Sequence, residues 1–116
     1  MGIDLTLIPV DHMDAPAFGH MLLPMERNSD LFALILDLPS RDAPLNFSCY
    51  LSRCPEGEHC YGRVAQDDYG EPLRMVLVAD LLAIPRLDLV AAHARNRAVW
   101  AFTGATDHEW VVLFWH

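Results

Sequence analysis

The apolar pattern is densest at the C-terminal end of the chain. Over Glu109-Trp110-Val111-Val112-Leu113-Phe114-Trp115-His116, alternate positions make two faces. Trp110, Val112, Phe114 and His116 share one; Glu109, Val111, Leu113 and Trp115 share the other. Both are mostly apolar and rich in β-branched and aromatic residues, which predicts a strand covered on both sides, at the centre of a sheet. Gly2 to Val10 alternates as well, with Ile3, Leu5 and Leu7 opposite Asp4, Thr6, Ile8 and Val10. Pro9 marks a frayed or edge position in this strand. Shared apolarity makes the first and last strands expected neighbours.

Between these strands the pattern changes period. After a loop over Asp11 to Ala17, Phe18 to Met25 reads as a strand paired loosely with the first. Asn28-Ser29-Asp30 supplies caps for a helix from Asp30 to Leu38, with Leu31, Leu34, Ile35 and Leu38 as its stripe. Phe32 and Leu36 lie off that stripe, so this helix is apolar on more than one side. Pro39 ends it. Arg41 to Pro72 is the irregular middle, in which Leu45 to Ser52 carries a strand-like alternation of Phe47, Cys49 and Leu51. Leu73 to Val78 reads as a further strand. Asp80 is placed to cap a short turn from Leu81 to Ile84, interrupted by Pro85. Arg86 to Phe102 is the longest helical pattern, with Leu87, Val90, Ala91, Ala94, Ala98, Ala101 and Phe102 as its buried stripe and Gly104 as its cap. The expected fold is α+β: one domain over residues 1–116, a small mixed or antiparallel sheet, the C-terminal strand near its centre, and two to three helices packed on it.

Composition narrows the class. With 53% hydrophobic and 21% charged residues in a chain of 116, one globular core is expected. The formal charge is −8, and all eight basic residues are arginines. That acidity argues against direct nucleic-acid binding, which needs a basic surface, and permits binding to a basic partner. The apolar runs are too short to span a membrane, and Asp4 stands where the basic region of a leader would be. A cytoplasmic protein with reduced cysteines is expected.

Catalytic and metal signatures are weak. Cys49, Cys54, His59 and Cys60 are ligand types for zinc, but no Cys-x-x-Cys knuckle is present and His59 and Cys60 are adjacent. Cys49 sits on an apolar strand face, where cysteine acts as a small hydrophobe. No metal and no cofactor is therefore expected. No local motif pairs a cysteine with a histidine base, and the six glycines form no phosphate loop. The Asp67-Asp68 pair reads as solvated. The richest polar set is Tyr50, Arg53, His59, Tyr61, Arg63, Tyr69, Glu71 and Arg74, in the long middle segment. Arginine and tyrosine anchor protein interfaces, and they also stack on nucleotides. The competing reading is a solvated loop whose rings cover the sheet.

Several short stretches occur in order: Gly2-Ile3-Asp4-Leu5, Asp30-Leu31-Phe32, Tyr50-Leu51-Ser52-Arg53, Tyr69-Gly70-Glu71-Pro72-Leu73, Asn96-Arg97-Ala98-Val99-Trp100-Ala101 and Trp115-His116. Together they resemble a family of small bacteriophage and prophage proteins that carries no assigned activity. The resemblance implies the bacterial host cytoplasm as the environment. It also implies a non-enzymatic protein that inhibits or modulates a host factor, in its narrowest form an anti-defence protein of the anti-CRISPR kind. Charge mimicry of nucleic acid is one variant. The alternative is a small-ligand binder that sequesters a nucleotide signal; a cysteine- or metal-dependent enzyme ranks last. Because the helix from Asp30 to Leu38 has more apolar faces than one sheet can cover, a homodimer is expected, with Phe32, Leu36 or one face of the terminal strand in the contact.

Overall fold

A computed structural model describes residues 3–10, 22–43, 66–105 and 108–116, and the backbone of 48–51 and 60–63. Its elements in chain order are β1 (Leu5–Val10), β2 (Leu23–Pro24), α1 (Ser29–Leu36), β3 (Ser40–Asp42), β4 (Ser48–Leu51), β5 (Cys60–Arg63), β6 (Arg74–Leu77), α2 (Val78–Leu82), α3 (Leu87–Ala91), α4 (Ala94–Ala105) and β7 (Trp110–Trp115). Five strands form one sheet in the order β2-β1-β7-β6-β3, and every pairing in it is antiparallel. β4 and β5 pair as a separate hairpin. The fold is α+β, with the C-terminal strand at the centre of the sheet.

The terminal strands are neighbours over their whole length, from Leu5 opposite Trp115 to Val10 opposite Trp110. Asp4 and His116 extend this ladder by exchanging both backbone hydrogen bonds, at 2.7 and 2.9 Å. That phase makes Thr6, Ile8 and Val10 the residues bonded to β7 and turns the N–H positions of Leu5, Leu7 and Pro9 outward. The Met25 N–H donates to the Leu5 carbonyl on that outer side, where β2 pairs only with Thr6 and Leu7. Proline is tolerated at position 9 because its missing donor would have pointed away from β7.

Both faces of β7 are buried. Val111, Leu113 and Trp115 join Leu5, Leu7 and the apolar residues of all four helices in the larger core. Val112 and Phe114 join Ile8, Val10, Leu73 and Met75 in a second cluster that contains no helical residue. The helices thus lie on one face of the sheet.

The first helix begins as its sequence predicts. The Asn28 side chain accepts from the Leu31 N–H at 3.1 Å, and its amide donates to the Leu89 carbonyl at 3.3 Å, tying α1 to α3. Its buried residues are Leu31, Phe32 and Ile35, whereas Leu34 and Leu38 are half-buried. The expectation that Phe32 meets a second copy is corrected. The ring is 4% exposed and packs edge-on against Trp115, with centroids 5.6 Å apart, so it has no surface to offer. Leu36 is 59% exposed.

The long helical pattern is broken in two, which gives four helices among the described residues. Val90 and Val99 are both buried. Nine residues at about 100° each would put them on opposite sides of one continuous helix. Interruption at residues 92 and 93 brings both to the core, and the Arg97 guanidinium donates to the Ala91 carbonyl that the break frees, at 2.6 Å. The buried face of α4 is Asn96, Val99, Trp100 and Thr103, while Leu87, Ala94, Ala98 and Ala101 are exposed. Gly104 lies inside α4, close to Leu82, and is not its cap. Asp80 lies within the first turn of α2 and does not cap it.

Candidate functional site

The turn at residues 67–71 builds one wall of a surface concavity. Gly70 has φ +80°, a left-handed conformation that side chains disfavour. Its N–H donates to the Asp67 carbonyl at 3.2 Å, and the Asp67 N–H donates to the Glu71 carbonyl at 2.9 Å. The Asp67 carboxylate accepts from the N–H groups of Tyr69 at 2.9 Å and Glu71 at 3.1 Å. It is therefore part of the turn and not simply solvated. The turn is docked on the end of β7. The Asp68 N–H donates to the Trp115 carbonyl at 3.1 Å, and the Tyr69 hydroxyl donates to the His116 carbonyl at 3.1 Å.

Around this turn lies a pocket of about 250 Å³. Its apolar lining is Ile3, ahead of β1; Leu36, at the end of α1; Trp115, in β7; and Tyr69 and Pro72, from the turn segment. Asp67, Glu71 and Arg74 supply its charges. Arg74 is already occupied. Its Nε donates to the Ser40 hydroxyl at 3.1 Å, one terminal nitrogen donates to the Ser40 carbonyl at 2.8 Å, and the other pairs with Asp42. The two carboxylates therefore set the sign of the pocket.

Three of the eight polar residues singled out from the sequence meet here: Tyr69, Glu71 and Arg74. Tyr50 and Tyr61 are register partners across the β4–β5 hairpin, and Arg63 pairs with Ser48. Arg53 and His59 lie outside the described residues, as does Cys54 of the metal reading. Among the described residues no group of three or more histidine, cysteine or acidic side chains is arranged to hold a metal. No helix among them is long and apolar enough to cross a membrane.

Sequence reasoning passed over Ile3 as a site residue and reached Trp115 only through the terminal-strand face offered as a contact, because an apolar side chain carries no chemical signature until its exposure is known. Four large apolar residues are exposed among the described residues: Ile3, Leu36, Tyr69 and Leu87. Three of them line this pocket. Next to Ile3, on the outer side of the ladder end, Asp4 forms a two-pronged pair with Arg27 at 2.8 and 3.1 Å. The Arg27 guanidinium holds the Asp4 carboxyl below the usual carboxylate range.

No protein-family model matches the chain, and neither a curated protein nor a solved structure shows significant similarity to it.

Proposed function

We propose that this is a non-enzymatic binding protein of bacteriophage origin that acts in the bacterial cytoplasm by occupying a host factor. Its contact surface is the concavity walled by Leu36, Tyr69 and Trp115. The observation that carries this reading is the gathering of Ile3, Leu36 and Tyr69, three of the four large apolar side chains exposed among the described residues, around one pocket. Exposed apolar groups scattered singly need no explanation; a contiguous set rimmed by charge is what interfaces present. The ordered sequence motifs supply the phage assignment, and inhibition of a defence system is its narrowest form.

Nucleotide sequestration fits the pocket less well. Asp67 and Glu71 outnumber Arg74, and each of that guanidinium's nitrogens is already donating. A phosphate there would meet net negative charge. A homodimer would use the same apolar surface, with Leu36 in the contact and Phe32 excluded from it by burial.

The test is capture from bacterial lysate on the immobilised protein, with Leu36→Asp as the matched control. A host protein identified by mass spectrometry should then bind the wild type in purified form and bind the variant at least about tenfold more weakly, as expected for loss of an interface anchor. Equal binding to both would remove the concavity from the reading. A mass of two chains in light scattering, lost in Leu36→Asp, would replace it with self-association.

A further inference from the structure

We infer that the partner presents a cationic amphipathic segment, with arginine or lysine next to apolar anchors, laid across the C-terminal end of α1. This rests on the reading just given and specifies the chemistry of the partner. Leu36 walls the first concavity, and its chain neighbours wall a second one. That second groove, of about 310 Å³, runs between the last turn of α1 and the end of α2. Leu34, Leu38, Ile84 and Pro85 give it an apolar lining, and Asp37 and Asp80 supply its charges among the described residues. Leu34 and Leu36 are two residues apart, about 200° around α1, so the two apolar depressions flank the helix on opposite sides, and a segment that reaches both must cross its C-terminal end.

Among the described residues, acidic side chains outnumber basic ones around both depressions. Asp67 and Glu71 border the first depression, and Asp37 and Asp80 border the second. Among the described residues, Arg74 is the single cation lining either, and Ser40 and Asp42 hold it. The C-terminal ends of α1 and α2 carry the negative pole of each helix, and neither helix has a basic residue in its last turn to offset it. An arginine or lysine can lay its methylene stem on leucine and proline while its charge meets the carboxylates. The whole chain, at −8, attracts such a segment from a distance. A second copy is the poorer occupant, because two-fold pairing would set Asp67 and Glu71 of one copy against an equally acidic surface. Phosphate groups and anionic membranes are repelled for the same reason.

The probe is a fluorescein-labelled twelve-residue peptide alternating leucine and arginine, with a leucine–glutamate peptide of equal length as its counterpart. Anisotropy titration of the full chain should show binding of the first only, weakening as salt rises. Two double variants separate a site from bulk attraction. Asp37→Lys with Glu71→Lys changes the rim; Asp30→Lys with Glu109→Lys makes the same change elsewhere, and each moves the charge from −8 to −4. The rim variant should lose about tenfold or more in affinity and the remote one about threefold or less. Leu36→Asp, at an exposed position, should also lose about tenfold although it adds negative charge. Thermal melting checks that every variant is folded. Equal losses in the two double variants, or full binding by Leu36→Asp, would overturn the inference. So would self-association that excludes the peptide. A captured host protein that needs Leu36 but ignores the rim charges would leave the binding function standing and refute the cationic partner alone.

Discussion

Replacing Asn96 should destabilise the protein more than any other single polar substitution in α4. The side chain is fully buried. Its oxygen accepts from the Glu26 N–H at 2.7 Å, and its amide donates to the Glu26 carbonyl at 3.1 Å. One amide thus closes a two-bond ring with the backbone just ahead of α1, a contact between residues 70 apart in sequence. Two such bonds contribute about 2 kcal/mol net. Asn96→Ala also leaves a void and strands two backbone groups. Glu26 is half-buried, so water recovers part of that loss, and about 1 kcal/mol more is expected. The sum is about 3 kcal/mol; at about 4 °C per kcal/mol, melting should fall by about 12 °C. Urea unfolding should show the same loss with an unchanged slope. Asn96→Asp is the sharper control. It keeps the acceptor but sets an anion against the Glu26 carbonyl in a buried site, which raises the introduced carboxyl's folded pKa above the unfolded value of about 3.9. The stability contributed by the protonated form is complete below that unfolded value and is lost as pH rises through the folded one. Relative to wild type, this variant should be worst at neutral pH and should recover on acidification. A loss below about 0.5 kcal/mol for Asn96→Ala, or a pH-independent penalty for Asn96→Asp, would refute the reasoning.

Other consequences follow from the same geometry. Gly70→Ala should cost about 1–2 kcal/mol from backbone strain alone, because φ is +80° and nothing lies within 4 Å of the added carbon; Gly70→Asn should cost less in the same melts. Leu36→Gln should change stability by less than about 0.5 kcal/mol, whereas Phe32→Ala, at 4% exposure, should lose about 3–5 kcal/mol; similar losses would show that the two residues do not divide between surface and core. The Asp4–Arg27 pair holds the folded carboxyl below its unfolded range, so its contribution is present above a pH of about 3.9 and lost as pH falls through the lower folded value. Arg27→Gln should therefore lower the urea midpoint slightly at neutral pH and leave it unchanged in strong acid; an equal drop at both would exclude a charge effect.

What the sequence determined by itself was the class of fold and the place of its two ends. Two-sided apolarity identified Trp110–Trp115 as a central strand, because only a strand with cover on both faces tolerates that pattern. The first strand was legible from the alternation over Gly2 to Val10, and the start of α1 was legible to within Asn28-Ser29-Asp30, because capping depends on residues three positions apart. The face of α4 was not legible. Asn96 and Thr103 are buried, and the bonds that permit it come from the Glu26 backbone and the Val99 carbonyl, the first of them far away in sequence. Alanines at 91, 94, 98 and 101 form as good a stripe as Val99 and Trp100, since alanine is equally at home on either side of a helix; the core decided between them. The concavity was half legible. Tyr69, Glu71 and Arg74 announced themselves by chemistry and Leu36 by lying off its helix stripe, but Ile3 and Trp115 join them from separate stretches of the chain. Which leucine is buried and which is left at a rim depends on the phase of one short helix against Trp115, and that phase is set by tertiary packing, not by the local pattern.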